Sequence, residues 1–580
     1  MLSECIGLCE RACAVNAQGH EALGNWGAAL LALARLKQDA CLFEAAMAKF
    51  AAALEIKPDQ HEALNGWGAA QLSLAELTGD EGLIEASFAK FAAALEIKPD
   101  KHGALRNWGM ALLALAQRKQ DESLFEAAFE KLAASVAIEP DQHDVFNRWG
   151  AALLDLAKLK GDMGPVGEAA AKFARAVEIE PQSHVALGNW GGALFELARS
   201  KADRDLFEAA IAKFAASVEI EPRQAEALYC WGLALCELAD LKADPGLFEA
   251  ATAKFAASAE IERDNPEMQY HWGLALWALA RSQNDDALFE AAIARFAHAV
   301  EIKPDMHRVF RDWGAALHDL ASLKKDASLL EAAIARFSDA VEVEPDAAVA
   351  HYGWGAALCA LALLKDDESL YEPAFAKFAE AVQIDPRLHL ALQGWADALS
   401  GLGMRRQDPA LYEAAIAKYA EAARVKPDSP QSLYGWGATL WVLAMANDDD
   451  GMLDEAIARL AAAQEIEPDH YGALNDWGCV LLTKAARRSG AACDDLLDQA
   501  AEKLRAAEDV APGPAAYNLA CLHGLRGEDD EVRRWLLKAE AADALPDADH
   551  MALDADLASV HETEWFEDLL ARRREAEGQC

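Results

Sequence analysis

Three sets of side chains recur at spacings that chemistry uses. Histidine opens successive segments at His20, His61, His102, His143, His184, His307 and His389. Imidazoles repeated in register are the material of a metal array. Aspartate recurs from Asp39 and Asp80 to Asp449 in steps of 41 residues, and stacked carboxylates are the material of calcium sites. Cys5, Cys9 and Cys13 fall every four residues, on one stripe of a helix, as a redox or metal cluster would. Each set has a plainer reading. Equivalent histidines on packed helices stand ~8–10 Å apart, too far to share an ion, and solvated first turns account for them. One Asp per repeat does not bring several oxygens together, and helix capping accounts for the ladder. The cysteine stripe packs under the first repeat. No nucleotide loop, nucleophile elbow, HExxH or EF-hand pattern occurs. The chain is therefore expected to have no catalytic residue, no metal and no cofactor, and not to be an enzyme.

The elements that must position these residues follow from one period. Trp-Gly marks it, with Trp26, Trp67, Trp108, Trp149, Trp190, Trp231, Trp272, Trp313, Trp354, Trp395, Trp436 and Trp477 each 41 residues after the last. A fixed period of this size is the signature of a solenoid. Within a repeat the apolar spacing of Leu23, Trp26, Leu30, Leu33 and Ala34 predicts a helix from about His20 to Lys37. Asp39 caps a second helix with the stripe Phe43, Ala46, Phe50, Ala53 and Leu54, which Pro58 stops near Ile56. Asp59 with Glu62 reads as a capping box opening the next repeat. Gly27 sits mid-helix, at a cost of about 1 kcal/mol against Ala. Its recurrence at every Trp except Trp395, where Ala396 follows, predicts close helix packing. Short loops make the two helices antiparallel neighbours.

These residues resemble the tetratricopeptide repeat. Leu23-x-x-Trp26-Gly27-x-x-Leu30 resembles its first half with Trp and Leu exchanged, and Ala46, Phe50, Ala53 and Pro58 match its second. The usual repeat has 34 residues, so each helix here is about one turn longer. The resemblance implies an all-α fold, a right-handed α-solenoid or superhelix of antiparallel helix pairs. Residues 1–19 are read as an N-terminal capping helix, 20–511 as twelve tandem repeats, 512–545 as one repeat of ordinary length, and 546–580 as a C-terminal cap. The last is similar to the segment that often closes bacterial arrays of this family, with Trp565, Phe566 and Leu569 over the last repeat and Arg572 to Arg574 solvated.

The resemblance also implies that the first helix lines a concave, partner-binding surface. Positions that vary between repeats are the informative ones. Three residues before and four after the repeated Gly, the second half of the chain places Tyr229, Tyr270, Trp277, Arg311, His318, Tyr352, Gln393, Tyr434 and Trp441. Pairs such as Tyr270 with Trp277 share one face of one helix. Such rings dominate binding hot spots, and their alternative is packing between repeats. Arg106, Asn107 and Arg148 resemble part of the family's carboxylate clamp, although Met110 stands where an Asn is expected.

With 54 basic and 96 acidic residues the formal net charge is −42. Such a chain repels phosphate backbones, so no nucleic acid is expected as partner. No window of about 18 uncharged apolar residues predicts a membrane-spanning helix. Eleven scattered cysteines without CxxC spacing, and Glu4 and Glu10 in place of a basic leader, point to a cytoplasmic protein. The expected function is a non-enzymatic scaffold holding a neutral or basic protein or peptide segment in the concave groove. The alternative is a self-assembling structural protein, a homo-oligomer or filament of the same solenoid.

Overall fold

The computed structural model describes residues 11 and 19–577, in two compact units, Met1–Gln283 and Asn284–Cys580. Cys5, Cys9 and Cys13, and all but two positions of the expected N-terminal cap, lie outside the described residues. Every regular element among the described residues is helical.

In the first unit, helices opening at His20, His61, His102, His143, His184 and Ala225 alternate with helices opening at Ala40, Glu81, Glu122, Gly164, Arg204 and Pro245, and Pro266–Gln283 ends the series. The second unit begins with Asp286–Ile302 and continues the alternation from His307–Lys324 to Ala491–Val510. Shorter helices follow, at Ala516–Arg526, Asp529–Ala541, Ala548–Leu553 and Glu564–Glu577.

The expected bounds His20–Lys37 and Ala40–Ile56 are the observed ones. Asp39 accepts a hydrogen bond from the Cys41 N–H at 2.9 Å, and its equivalents do the same in repeat after repeat. This satisfies N–H groups that a helix start leaves open. The first helix ends on a left-handed residue whose N–H returns to the preceding turn, as Gln38 does to Ala34. That position is Gly79 and Gly161 in two repeats, but a residue with a Cβ in most, including Ala202 and Ala243 at φ 50 and 51.

Two local expectations need correction. Asp59 does not cap the following helix; Gln60 occupies the cap position and makes no capping bond through its side chain. The proline turn places Asp one residue too early. Nor are the histidines solvated. His20, His61 and His102 are half-buried, and the Nδ1 atom of each is enclosed without a hydrogen-bond partner. Burial pulls the His61 and His389 imidazoles below the ordinary range, with nearby lysines adding to it.

The core is built on the repeated glycine. A Cβ on Gly27 would lie 2.8 Å from Phe50, one on Gly150 2.7 Å from Phe173, and one on Gly232 2.6 Å from Phe255. Each ring is nearly or fully buried, so the Gly exists to let the second helix seat its Phe. The exception, Ala396, stands opposite Tyr419, whose hydroxyl donates to Asp397 Oδ1 at 2.5 Å. Above the same contact a cation covers the Trp. Lys49 Nζ lies 3.7 Å from the Trp26 ring centre, Lys90 3.8 Å from Trp67, and Lys172 3.7 Å from Trp149. Arg459 takes the place at Trp436, at 3.9 Å.

Ala348–Lys365 is long and apolar enough to cross a membrane by composition. Its place is that of any first helix, with Gly355, Leu358, Leu361 and Ala362 buried in the repeat core. At the C-terminal end Phe566 and Leu569 are fully buried, with Trp565 packed against the same cluster. The arginines there are ion-paired rather than simply solvated: Arg572 with Glu540, Arg573 with Asp543, and Arg574 with Asp549.

Candidate partner-binding groove

Consecutive first helices meet through a register of 42, one more than the period. Asn107 Nδ2 donates to Asn65 Oδ1 at 3.0 Å, Asn189 to Asn147 at 3.0 Å, and Tyr229 Oη lies 3.0 Å from His271 Nδ1. The residue three before the Gly therefore faces the residue two before the next Gly. At one joint the partners match in size: a Cβ on Gly394 would lie 3.2 Å from Tyr352 Cε2.

This register decides the fate of the variable aromatics. Tyr229 is half-buried against His271 and Phe255. Tyr270 is 6% exposed, its ring 5.0 Å from His271. Tyr352 leans on Phe378 at 6.3 Å, and Tyr434 on His470 at 5.0 Å. Burial pushes the Tyr434 hydroxyl up, helped by Asp476. Arg311 grips Asp312 at 2.7 and 2.8 Å. His318 lies 3.9 Å from Asp319, and Gln393 accepts from Ser432 at 3.0 Å. Trp441 donates to Thr483 at 3.2 Å and lines a cavity of about 330 Å³; Gln393 and Tyr434 line another of about 350 Å³. Trp277 lines a cavity of about 410 Å³ with Cys236, Leu233 and Phe195.

A cavity of about 930 Å³ adjoins that of Trp277 and shares Phe195, Arg199 and Leu233 with it. Its floor includes Leu154, Ala157, Val166, Phe214, Ala227 and Cys230. Together the two form one apolar groove along the first helices of the Trp149, Trp190, Trp231 and Trp272 repeats. Its origin is local. At this junction Gly188 faces Cys230, where neighbouring junctions hold Asn with Asn or Tyr with His. One turn on stands Gly192. A Cβ there would meet nothing within 4 Å, and one on Gly188 only Ser217 Oγ at 3.5 Å. These glycines, unlike the framework Gly191, are not required by packing. They leave a concavity above a floor whose own residues are largely buried.

The groove carries Asp162, Glu196, Glu226, Glu237 and Asp240 against Lys158, Arg199 and Arg281. Arg199 sits between Glu196 at 3.7 Å and Glu237 at 3.8 Å, 5.6 Å from the Phe195 ring. Burial pushes the Cys230 thiol up to about 12, with Glu226 and Glu196 adding to it. It is an apolar lining group at neutral pH, not a nucleophile.

A third cavity in the same unit, about 510 Å³, gathers Arg35, Arg106 and Arg148 with Asn107 and Met110. Arg106 lies 3.9 Å from Asp144, and Asn107 is occupied by Asn65. The clamp-like residues thus come together, but the Asn serves the repeat junction.

Gly-seated helix pairs, the 41-residue spacing and the Ala, Phe and Pro positions coincide in the coordinates. The chain is a tandem array of tetratricopeptide-type repeats. Residues 8–100 and 186–271 match the family described as plant specific mitochondrial import receptor subunit TOM20. The array is similar to the crystal structure of yeast Tom70 at 16% identity and a TM-score of 0.38, covering 94% of this chain and 99% of that one. It is similar to YrrB, described as a TPR protein with an unusual peptide-binding site, at 22% identity and a TM-score of 0.26, over 37% of this array and 92% of YrrB. The C-terminal part of a TPR repeat-containing protein from Cytophaga hutchinsonii is 13% identical with a TM-score of 0.37, over 51% and 99%. No curated protein sequence matches the array.

The family match overturns the cytoplasmic placement expected from the sequence, because the matching family is a mitochondrial receptor subunit. Scattered cysteines without paired spacing do not say which membrane or organelle a chain borders.

Proposed function

We propose that the array is a non-enzymatic receptor scaffold that holds a segment of a partner protein in the Leu154–Trp277 groove of the first unit. The observation that carries this reading is the pair of adjoining cavities between Gly188 and Trp277, kept open by glycines that packing does not need. Apolar side chains of a partner would displace water from the half-buried Leu233 and Trp277, at roughly 25 cal/mol per Å² buried. The rim carries five acidic and three basic residues, which favours neutral or basic segments and speeds their approach at low salt. The import-receptor family match includes residues 186–271, the stretch that supplies most of this lining, and a receptor role for a polypeptide fits it.

The test is peptide selection on the full chain, followed by affinity measurement on wild type and Gly192→Leu. The added side chain enters the groove and no packed core. Wild type should bind the selected peptides at least tenfold more tightly, by the worth of one filled apolar contact, about 1.4 kcal/mol. Equal affinities, with unchanged helicity and melting, would remove the groove from the function.

A further inference from the structure

The shorter helices of the second unit bring together side chains that the scaffold reading does not use. Cys521, on Ala516–Arg526, is 4% exposed. Asp554 caps the single 3-10 turn Ala555–Leu557, and Asp556 lies within that turn. One ligand atom from each of the three lies within 4.8 Å of the other two. Asp554 is held from three sides: Tyr517 Oη donates to Oδ2 at 2.6 Å, Cys521 Sγ to Oδ2 at 3.5 Å, and the Asp556 N–H to Oδ1 at 3.0 Å. The turn is pressed onto the helix, since a Cβ on Gly524 would lie 2.0 Å from the Asp556 carbonyl oxygen. The backbone of the turn is therefore closely packed on the helix that carries Cys521.

Capping accounts for Asp554. It does not account for Asp556, whose half-buried carboxylate stands beside a second carboxylate with no hydrogen bond or ion pair of its own among the described residues. Nor does it explain the thiol. Cys479, 42 residues before Cys521 and so in the inter-repeat register, lines the same cavity of about 330 Å³, as does His550.

We propose that Cys521, Asp554 and Asp556 form a binding site for one divalent metal ion of the zinc class. A thiolate with two carboxylates suits a borderline-soft ion and not magnesium or calcium, which take oxygen alone. Bonds of ~2.3 Å to sulfur and ~2.0–2.2 Å to oxygen bring the three ligand atoms somewhat closer than they now stand, within the reach of side-chain rotation. The fourth position faces the cavity, for water or a wall residue. Binding displaces the Cys521 proton to solvent, cancels the repulsion between the two acids, and ties the 3-10 turn to the Ala516–Arg526 helix. Tyr517 positions Asp554 from outside.

The experiment uses the full chain, stripped with chelator, in zinc competition against a chromophoric chelator near neutral pH. Wild type should hold a zinc ion that Asp556→Asn and Cys521→Ser each weaken by about 100-fold or more. Cobalt in place of zinc should give a thiolate charge-transfer band that Cys521→Ser lacks. Asp556→Asn removes an uncompensated charge, so it should melt no lower than wild type without metal, which separates lost binding from lost fold. Equal zinc affinity in wild type and Asp556→Asn, or a cobalt spectrum without the thiolate band, would overturn the site and assign any bound zinc to the acidic surface or to other cysteines.

Discussion

Gly191 and Gly192 are adjacent and carry opposite structural burdens. A Cβ on Gly191 would lie 2.8 Å from Phe214 Cδ1, and one on Gly192 would meet nothing within 4 Å. The first glycine belongs to the framework; the second keeps open the cavity of about 930 Å³ that it lines.

Their substitution by alanine should therefore diverge. Gly191→Ala gains about 1 kcal/mol of helix propensity but must displace a buried ring, an overpacking cost of about 1–3 kcal/mol. Gly192→Ala gains the propensity alone. Thermal melting should fall for the first and hold or rise for the second. Equal shifts would show that Phe214 moves aside freely.

The Lys over each Trp is the second testable contact. Lys254 lies 3.8 Å from the Trp231 ring centre. Lys254→Met keeps the aliphatic cover and loses the charge, and should cost about 0.5–2 kcal/mol. Lys254→Arg should retain most of the stability, since Arg336 and Arg459 cover Trp313 and Trp436 naturally. Melting midpoints of the two variants check this directly.

A third prediction concerns the left-handed end of the first helix. Ala243 adopts φ 51 and Ala202 φ 50. A side chain there costs roughly 1–2 kcal/mol, part of which glycine gives back through its freer unfolded chain. Ala243→Gly should stabilise by about 0.5 kcal/mol, whereas the same change at Ala239, buried inside that helix, should destabilise. Chemical denaturation of the two variants gives the comparison.

The fourth is a pH dependence. Burial, then repulsion from Asp554, raises the Asp556 carboxyl to about 6. A carboxyl raised on folding favours the folded state only while protonated. In the metal-free chain its contribution is complete below its unfolded value near 4 and is lost as pH rises through about 6. Asp556→Asn should therefore be the more stable form at pH ~7, on the order of 1 kcal/mol after allowance for solvent screening, and the difference should close near pH ~4. Melting curves across that range decide it; a constant difference would assign the effect to packing.

Much of this was legible in the sequence. Helix bounds in the first repeat agree to the residue, because the Asp cap and the proline stop are local signals. The recurring mid-helix glycine announced close helix packing, but that Phe50 is what seats on Gly27 is seen only in the structure. The cap at Asp59 failed because the proline turn ends one residue later than the motif implies. The Trp and Lys pairs were present at a constant spacing, as in Trp26 with Lys49, but joining them needs the helix-to-helix register that only packing fixes. The candidate site was legible in part. Trp277 lines the groove, whereas Tyr270 and Tyr229 fill junctions. Searching the variable rows for large side chains overlooked Gly188 and Gly192, where the informative property is an absent one.

The 42-residue register has a consequence for how such an array can change. The framework recurs from module to module, but several joints are keyed: Asn65 to Asn107, Tyr229 to His271, Tyr352 to Gly394. Recombination that excised the period between Asn65 and Asn107 would restore every helix and still set Asn65 against Arg148 in place of Asn107. Modules are thus interchangeable as building blocks yet not as neighbours, and the linear order of the chain is written into its seams.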